Sequence, residues 1–431
     1  MNFSLKAIAF TGFICLLFSC SHENPPQPSD ESQKPEIEVS EIPLEDALTS
    51  LQEFMSDAYP EKLTKAGSFE DMIESIAVHH SKTSLTKVGS PTADAYIVNF
   101  VDDGGFAVLG AKSDLEDIIA VTERGSITPE EIDSAYKDLT DQEEVLFYDE
   151  EGKAYTSYYC EEDDDYYSGG TFSLPVLIYN DLNTDGSGRA GSSGPGGGSS
   201  TSYYTTAPLL KTRWSQGGYH ESGVYNKYCK VAGKNMCAGC STTALAQIVA
   251  YNQFPSRIGG KDMNYEEMTK IPNARLLDEY SAELVSHLYG DIFNHVCKGA
   301  GKDGTLISPE QIKNRMKQYG YSNVFKLPLS KLNDKVLQTI SYMLQKSNPV
   351  FFSAVACVIQ GHSWVIDGAK YTPYGNYLLH FNFGWAGDCN GYFSPYCLNP
   401  VKAYEYDSNS APDDSYYDDQ YSWHFRMIIY D

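Results

Sequence analysis

Apolar residues fall into short, separate patterns along this chain of 431 residues. Leu44, Ala47, Leu48, Leu51 and Phe54 recur at three- and four-residue spacing, which predicts a helix over 44–57. Two apolar runs, from Ala95 to Val101 and from Phe106 to Ala111, bracket Asp102-Asp-Gly-Gly105, a β-hairpin signal. A second helix is expected from Pro129 towards Leu139, with Thr128 as its cap and Glu130 and Glu131 in its first turn. After residue 200 the pattern changes. Thr242 to Asn252 reads as a helix with Ala244, Leu245, Ile248 and Val249 on one face, and Ser281–His295 and Pro309–Tyr319 as two more. The last hundred residues alternate instead. Val350 to Ala356, His362 to Ile366, Tyr377 to Phe383 and Tyr392-Phe393 read as strands of an antiparallel sheet. Helices first and a sheet later predict an α+β fold, preceded by a smaller α+β domain.

Residues 186–200, GSGRAGSSGPGGGSS, break the pattern: seven are Gly and no apolar side chain exceeds Ala. Such a stretch buries too little surface to offset its ordering entropy, so it marks a domain boundary. Arg189 is its one charged residue, which makes Arg189-Ala190 the candidate cleavage bond. The alternative is a permanent flexible linker. The expected organisation is an export segment at 1–20, a Pro/Ser/Glu-rich tether at 21–42, a folded domain at 43–185, the linker at 186–203 and a second domain at 204–431.

Charge separates the same two parts. The chain carries 32 basic and 58 acidic residues, a net charge of −26. Residues 1–200 hold 11 basic and 38 acidic groups, whereas residues 201–431 hold 21 and 20. The acidity therefore sits wholly in the first half, and it argues against a nucleic-acid partner, which needs a basic face. At the start, Lys6 precedes an apolar run from Ala7 to Phe18 that is too short for a span of about 20 residues. This describes a secretory signal. Leu17-Phe18-Ser19-Cys20 resembles a bacterial lipobox, so Cys20 is the expected lipidation site and the body is expected outside the cytoplasm, at the outer membrane or cell surface, anchored to the membrane through lipid alone.

Ten cysteines are ordinary in an exported protein. Seven follow residue 200, an odd number that leaves at least one thiol to explain. Cys237-Ala-Gly-Cys240 has no second CxxC or HxxxH, so neither a metal site nor a cofactor is expected. Cys240 stands immediately before an apolar helix. There the dipole and unpaired N–H groups favour the thiolate and can hold a developing oxyanion. Position alone leaves nucleophile and half-cystine equally open. A thiolate nucleophile needs a base. Of His220, His287, His295, His362, His380 and His424, His362 stands out, in Gly361-His362-Ser-Trp-Val-Ile-Asp-Gly at the start of a strand. Asn382, in a second aromatic strand, offers an amide to fix the imidazole. Gln247 and Tyr251 read as local packing, and Asp367 before Gly368 as a turn former.

Four blocks together carry a family resemblance. Thr212-Arg-Trp-Ser-Gln216-Gly, Ala238-Gly-Cys240-Ser-Thr-Thr-Ala-Leu-Ala-Gln-Ile-Val-Ala-Tyr, Gly361-His362-Ser-Trp-Val-Ile-Asp-Gly and His380-Phe-Asn382-Phe-Gly-Trp385-Ala-Gly, the last followed by Asn390-Gly-Tyr-Phe, resemble the streptopain family of secreted papain-like cysteine peptidases. The resemblance implies a papain-like catalytic domain and an inhibitory propeptide in the acidic half. Cys240 would be the nucleophile, His362 the general base and acid, and Gln216 an oxyanion donor. Asn382 or its neighbour would support His362, and Trp385 would wall the imidazole. Where the family has Trp after this Asn, the chain has Phe383, so the residue that orients His362 stays open. Cys237, Cys389 and Cys397 lie outside the family pattern and are candidates for stabilising bridges.

The implied activity is a secreted cysteine endopeptidase made as a zymogen. Its partners would be protein or peptide substrates, its own propeptide as intramolecular inhibitor, and an activating protease that is either itself or trypsin-like. Two other readings compete: a Cys–His envelope amidase cutting peptidoglycan peptides, and a catalytically dead surface-binding protein on the same fold. The last predicts loss of Cys240, His362 or Gln216, and all three are present.

Overall fold

The computed structural model describes residues 39–80, 93–132, 203–217, 223–301, 304–329, 332–356, 360–395 and 425–431, and the backbone of four short strands between 147 and 167. The export segment with Cys20, the linker with Arg189 and Ala190, most of the 129–139 helix, His220, His424, Cys357 and Cys397 lie outside the described residues.

The acidic half begins with α1 (Leu44–Ala58). Glu45 and Asp46 in its first turn complement the dipole, and Ala47, Leu51, Phe54 and Met55 are its buried stripe. Pro60 opens α2 (Pro60–Ala66), which Gly67 closes at φ 98°. A meander follows: β1 (Ile73–His79), β2 (Ala95–Phe100), β3 (Phe106–Gly110) and β4 (Ile118–Thr122), each antiparallel to the next. The hairpin predicted around Asp102–Gly105 is the β2–β3 turn, with Asp102 and Asp103 at φ 58° and 55°. Thr128 caps the described helical turn at 129–132, accepting from the Glu131 N–H while Glu131 returns the bond to the Thr128 N–H. Further on come the two-residue strands β5 (Phe147–Tyr148) and β6 (Ala154–Tyr155).

The second half opens its helical part with α3 (Cys240–Asn252), buried from Ser241 to Ala250, and continues with α4 (Glu279–Val296). The strands β7 (Gly299–Gly301) and β8 (Thr305–Leu306) follow. Next comes α5 (Pro309–Tyr319), whose Ser308 and Gln311 form a capping box. Then β9 (Phe325–Leu329) precedes α6 (Asp334–Gln345), β10 (Val350–Ala356), β11 (Gln360–Tyr371), β12 (Tyr377–Asn382), β13 (Gly391–Phe393) and β14 (Phe425–Ile429).

One ten-stranded sheet runs through both halves in the order β1-β2-β3-β4-β13-β12-β11-β10-β14-β9. The halves join at β4 and β13, where Gly391 pairs with Thr122 and Phe393 with Ala120. Gly391 is needed there, since a Cβ would lie 2.1 Å from the Val121 carbonyl. A second join is made by β5, which pairs with β7. The α+β class is as expected. The acidic half, however, is not set apart as its own compact body: residues 39–431 form one compact unit.

Three apolar clusters explain the layers. On one face, Val336, Leu337, Ile340 and Leu344 of α6 pack on Phe352, Trp364, Ile366, Phe381 and Phe383, together with Ile97 and Val108 of the acidic half. On the other face, α1 covers Tyr96, Val98, Leu378 and Tyr392. Beside it, α3, α4 and α5 cover Phe351, Val365 and Ile428. Strands buried on both faces read as continuous apolar runs, which is why β2, β3, β4 and β12 lack alternation.

Candidate active site

Cys240 is the first residue of α3. Gly239 before it adopts φ 83°, a conformation open to glycine, and a Cβ there would sit 2.0 Å from Thr305 Oγ1. The Gly239 carbonyl accepts from the Thr243 N–H and hydroxyl at 3.1 and 2.9 Å, which closes the first turn. The half-buried Cys240 thiol lies among hydrogen bonds from Ser363 and Ser241, whose hydroxyls are 2.9 Å apart. Burial pushes the thiol above its ordinary value, and those bonds offset only part of this. Ser363 is the residue after His362, so β11 brings the neighbour of the histidine to the Cys240 end of α3.

His362 is buried, with Nε2 2.9 Å from the Phe383 carbonyl. A carbonyl only accepts, so the neutral ring carries its proton on Nε2 and leaves Nδ1 with a lone pair. Trp385 stands 4.7 Å from the imidazole centroid at an interplanar angle of 34°, with Phe383 and Trp364 at 6.0 and 5.9 Å. Burial drives His362 down to about 4, against the weaker upward pull of the Phe383 carbonyl.

Asn382 does not make the bond expected of it. Its Nδ2 donates to the Thr212 carbonyl at 3.0 Å, and its Oδ1 accepts from Gln247 Nε2 at 3.1 Å and the Gly384 N–H at 3.2 Å. The physical reason is strand alternation: Asn382 faces α3, and the next peptide unit presents its carbonyl to His362. Asn390 fixes that unit, its Oδ1 accepting from the Phe383 N–H at 3.0 Å. Gln216 is drawn to the loop before Cys240 through its backbone, where its carbonyl accepts from the Ala238 N–H at 2.7 Å. Ser215 bridges Trp385, and the Ala386 N–H donates to the Trp214 carbonyl at 3.0 Å, so the Gln216 segment and the Trp385 loop are laced together. Cys389 is a free thiol, not a half-cystine, and burial raises it to about 11. Cys237 Sγ sits 3.7 Å from the Gly217 carbonyl.

Asp367 is no turn former. It is fully buried in β11 at a register shift, where Oδ1 lies 2.6 Å from His380 Nδ1 and Oδ2 accepts from the Leu210 N–H at 3.0 Å. Glu123 of the acidic half stands 3.5 Å from His380 Nε2 and 2.9 Å from Arg213. Burial lowers His380, but Asp367 and Glu123 outweigh it and raise the group to about 9.

Residues missed in the sequence are Gln247, Asn390, Ser363 and the Phe383 carbonyl. Asn390 was visible in the block after Trp385. A carbonyl, by contrast, leaves no sequence signal.

Among the described residues, no group of three or more His, Cys, Asp or Glu could hold a metal ion. No helix among them is long and apolar enough to cross a membrane.

Cys240 opens a helix, and His362 lies on a strand whose next residue, Ser363, meets the first turn of that helix. Residues 219–393 match the model of the Peptidase C10 family. The chain is 26% identical over 245 residues to streptopain of Streptococcus pyogenes, which covers 46% of this chain and 60% of that protein. It is 27% identical over 202 residues to the thiol protease/hemagglutinin PrtT of Porphyromonas gingivalis, covering 39% of the chain and 21% of that protein. The chain thus spans about 60% of the length of the streptopains it matches. A fragment of prointerpain A from Prevotella intermedia shares the fold at a TM-score of 0.50 and 18% identity, over 82% of this chain and 98% of that one. The chain is homologous over this stretch to the streptopain-type papain-like cysteine proteases.

Proposed function

We propose that this chain is an exported cysteine endopeptidase made as a zymogen. The observation that carries this reading is Cys240 at the N-terminus of α3, against Ser363, the neighbour of His362, whose Nε2 is held by the Phe383 carbonyl. His362 takes the Cys240 proton, and the thiolate attacks the peptide carbonyl carbon. The oxyanion is held by the Cys240 N–H and the Gln216 side-chain amide. Collapse breaks the C–N bond, the amine leaves with the proton from His362, and a thioester remains. Water, losing its proton to His362, then hydrolyses the thioester and restores Cys240. Trp385 shields the imidazole from solvent.

The acidic half acts as the removable inhibitor. Its strands β5 and β6 sit on β7, next to β8, whose Thr305 packs against Gly239 beside the nucleophile. Fold likeness to a pro-form supports this assignment. Cleavage at Arg189-Ala190 would release it, by the enzyme itself or by a trypsin-like protease, and lipidation of Cys20 would anchor the chain.

Casein hydrolysis and active-site labelling test the reading. Cys240→Ala should abolish both turnover and labelling by a thiol-directed epoxide. Labelling at another Cys with retained turnover would overturn it. Turnover of muropeptides without casein cleavage would favour the amidase instead.

A further inference from the structure

We infer that Gln247 is a positioning residue of this site, a single amide that holds both the extended segment carrying Gln216 and the peptide that orients His362 in register with the nucleophile helix. The inference rests on the peptidase reading above. Gln247 lies seven residues after Cys240 on α3, so two turns place both on the same helix face. Its side chain is fully buried. Oε1 accepts from the Thr212 hydroxyl at 2.9 Å and, at longer range, from the Trp214 N–H at 3.4 Å. Nε2 donates to Asn382 Oδ1 at 3.1 Å. Asn382 in turn donates to the Thr212 carbonyl and accepts from the Gly384 N–H. Gln247, Thr212 and Asn382 therefore close a buried ring of hydrogen bonds.

The ring touches both ends of the catalytic geometry without touching a reacting atom. On one side, Thr212 and Trp214 lead directly to Gln216. On the other, Asn382 and Gly384 flank Phe383, whose carbonyl holds His362 Nε2. Only a side chain with a donor and an acceptor at one tip can close this ring, and Gln supplies both. A buried ring of this kind over-determines the position of every member, since a lost partner leaves a polar group with no water to replace it. It also explains the position of Asn382: its amide is committed to the ring, and its service to His362 passes through the next peptide unit.

The test uses the full-length protein, before and after processing, carrying Gln247→Leu or Gln247→Glu. Leu removes all three hydrogen bonds, whereas Glu keeps the acceptor for Thr212 and Trp214 and loses the Nε2 donor. Per active site titrated with the epoxide, Gln247→Leu should lower kcat by about 10- to 100-fold with KM held within about twofold, because misplacement acts on the transition state and not on substrate contacts. Gln247→Glu should fall between Leu and wild type. Gln247→Leu combined with Asn382→Ala should be no slower than the slower single variant, since both break one ring. Unchanged kcat per titrated site, with only a lower Tm, would overturn the inference. A readout independent of peptidase activity separates its failure from that of the function. In the ¹⁵N spectrum of the imidazoles, Gln247→Leu should shift His362 from a pure Nε2–H tautomer to a mixture. A wild-type His362 signal in that variant would equally overturn the positioning role, whatever the enzyme cleaves.

Discussion

In the full-length chain the Cys240 thiol and the His362 imidazole are driven towards their neutral forms. Burial raises the Cys240 thiol and lowers His362 to about 4, the opposite of a thiolate–imidazolium pair. At neutral pH the unprocessed protein should therefore react slowly with iodoacetamide at Cys240, and removing the acidic half should speed that reaction at least tenfold. Equal rates before and after processing would show that the acidic half does not tune the nucleophile. The stability sign follows from the same shift. His362 binds its proton more weakly folded than unfolded, so its contribution is full above the unfolded value near 6.5 and is lost as pH falls from there towards about 4. Cys240 and His362 stood out as candidates in the sequence because each sits in a local block, and the resemblance of four such blocks singled them out together. Gln247 did not, because its partners Thr212 and Asn382 lie 35 and 135 positions away.

At the scale of elements, patterning located α1, α3, α4 and α5 because each shows an apolar face or a cap in its own window. The start of α3 at Cys240, two residues before the predicted start at Thr242, follows from the close packing at Gly239. Gly239→Ala should lower the Tm by several degrees and remove most activity, since φ 83° strains any L side chain and the new Cβ strikes Thr305. Thr305→Ala in the same chain should restore only part of the Tm, because it removes the hydroxyl but leaves the backbone strain. Full recovery in a thermal melt would mean that sterics alone fix this turn. The helix α6 went unread although Val336, Leu337, Ile340 and Leu344 carry the period and Asn333 caps it by accepting from the Val336 N–H. Gly391 shows what sequence patterning cannot reach. Its need for a missing side chain arises from β4, which approaches from more than 260 positions upstream.

Across the whole molecule, the charge step at residue 200 separates two stretches of sequence that the structure joins in one sheet. That join depends on long-range pairing and on a few buried polar contacts. Asp117 of β3–β4 accepts from Ser50 at 2.6 Å and, across the halves, from Thr372 at 2.8 Å and Asn376 at 2.7 Å. Glu123 meets His380 and Arg213 of the second half, while Lys62 Nζ donates to the Glu123 backbone carbonyl at 2.8 Å. Burial raises the Glu123 carboxyl, but His380, Arg213 and Lys62 outweigh it, and the net direction is down. This cluster gives the junction a pH window. His380 stands at about 9, above its unfolded value near 6.5, so its stabilisation is full below 6.5 and is lost as pH rises through about 9. Glu123 contributes above the unfolded carboxylate range and loses that contribution on acidification. The full-length chain should therefore lose Tm between pH 6.5 and 9. Glu123→Gln should flatten part of that limb, and Asp367→Asn should flatten more, since Asp367 is the larger of the two influences raising His380. Glu123→Gln removes the one carboxylate that the acidic half places against His380, so it should also speed processing of the chain at pH 7. Parallel Tm-against-pH curves for wild type and both variants, from thermal melts at pH 6, 7.5 and 9, would show that this buried cluster does not hold the halves together.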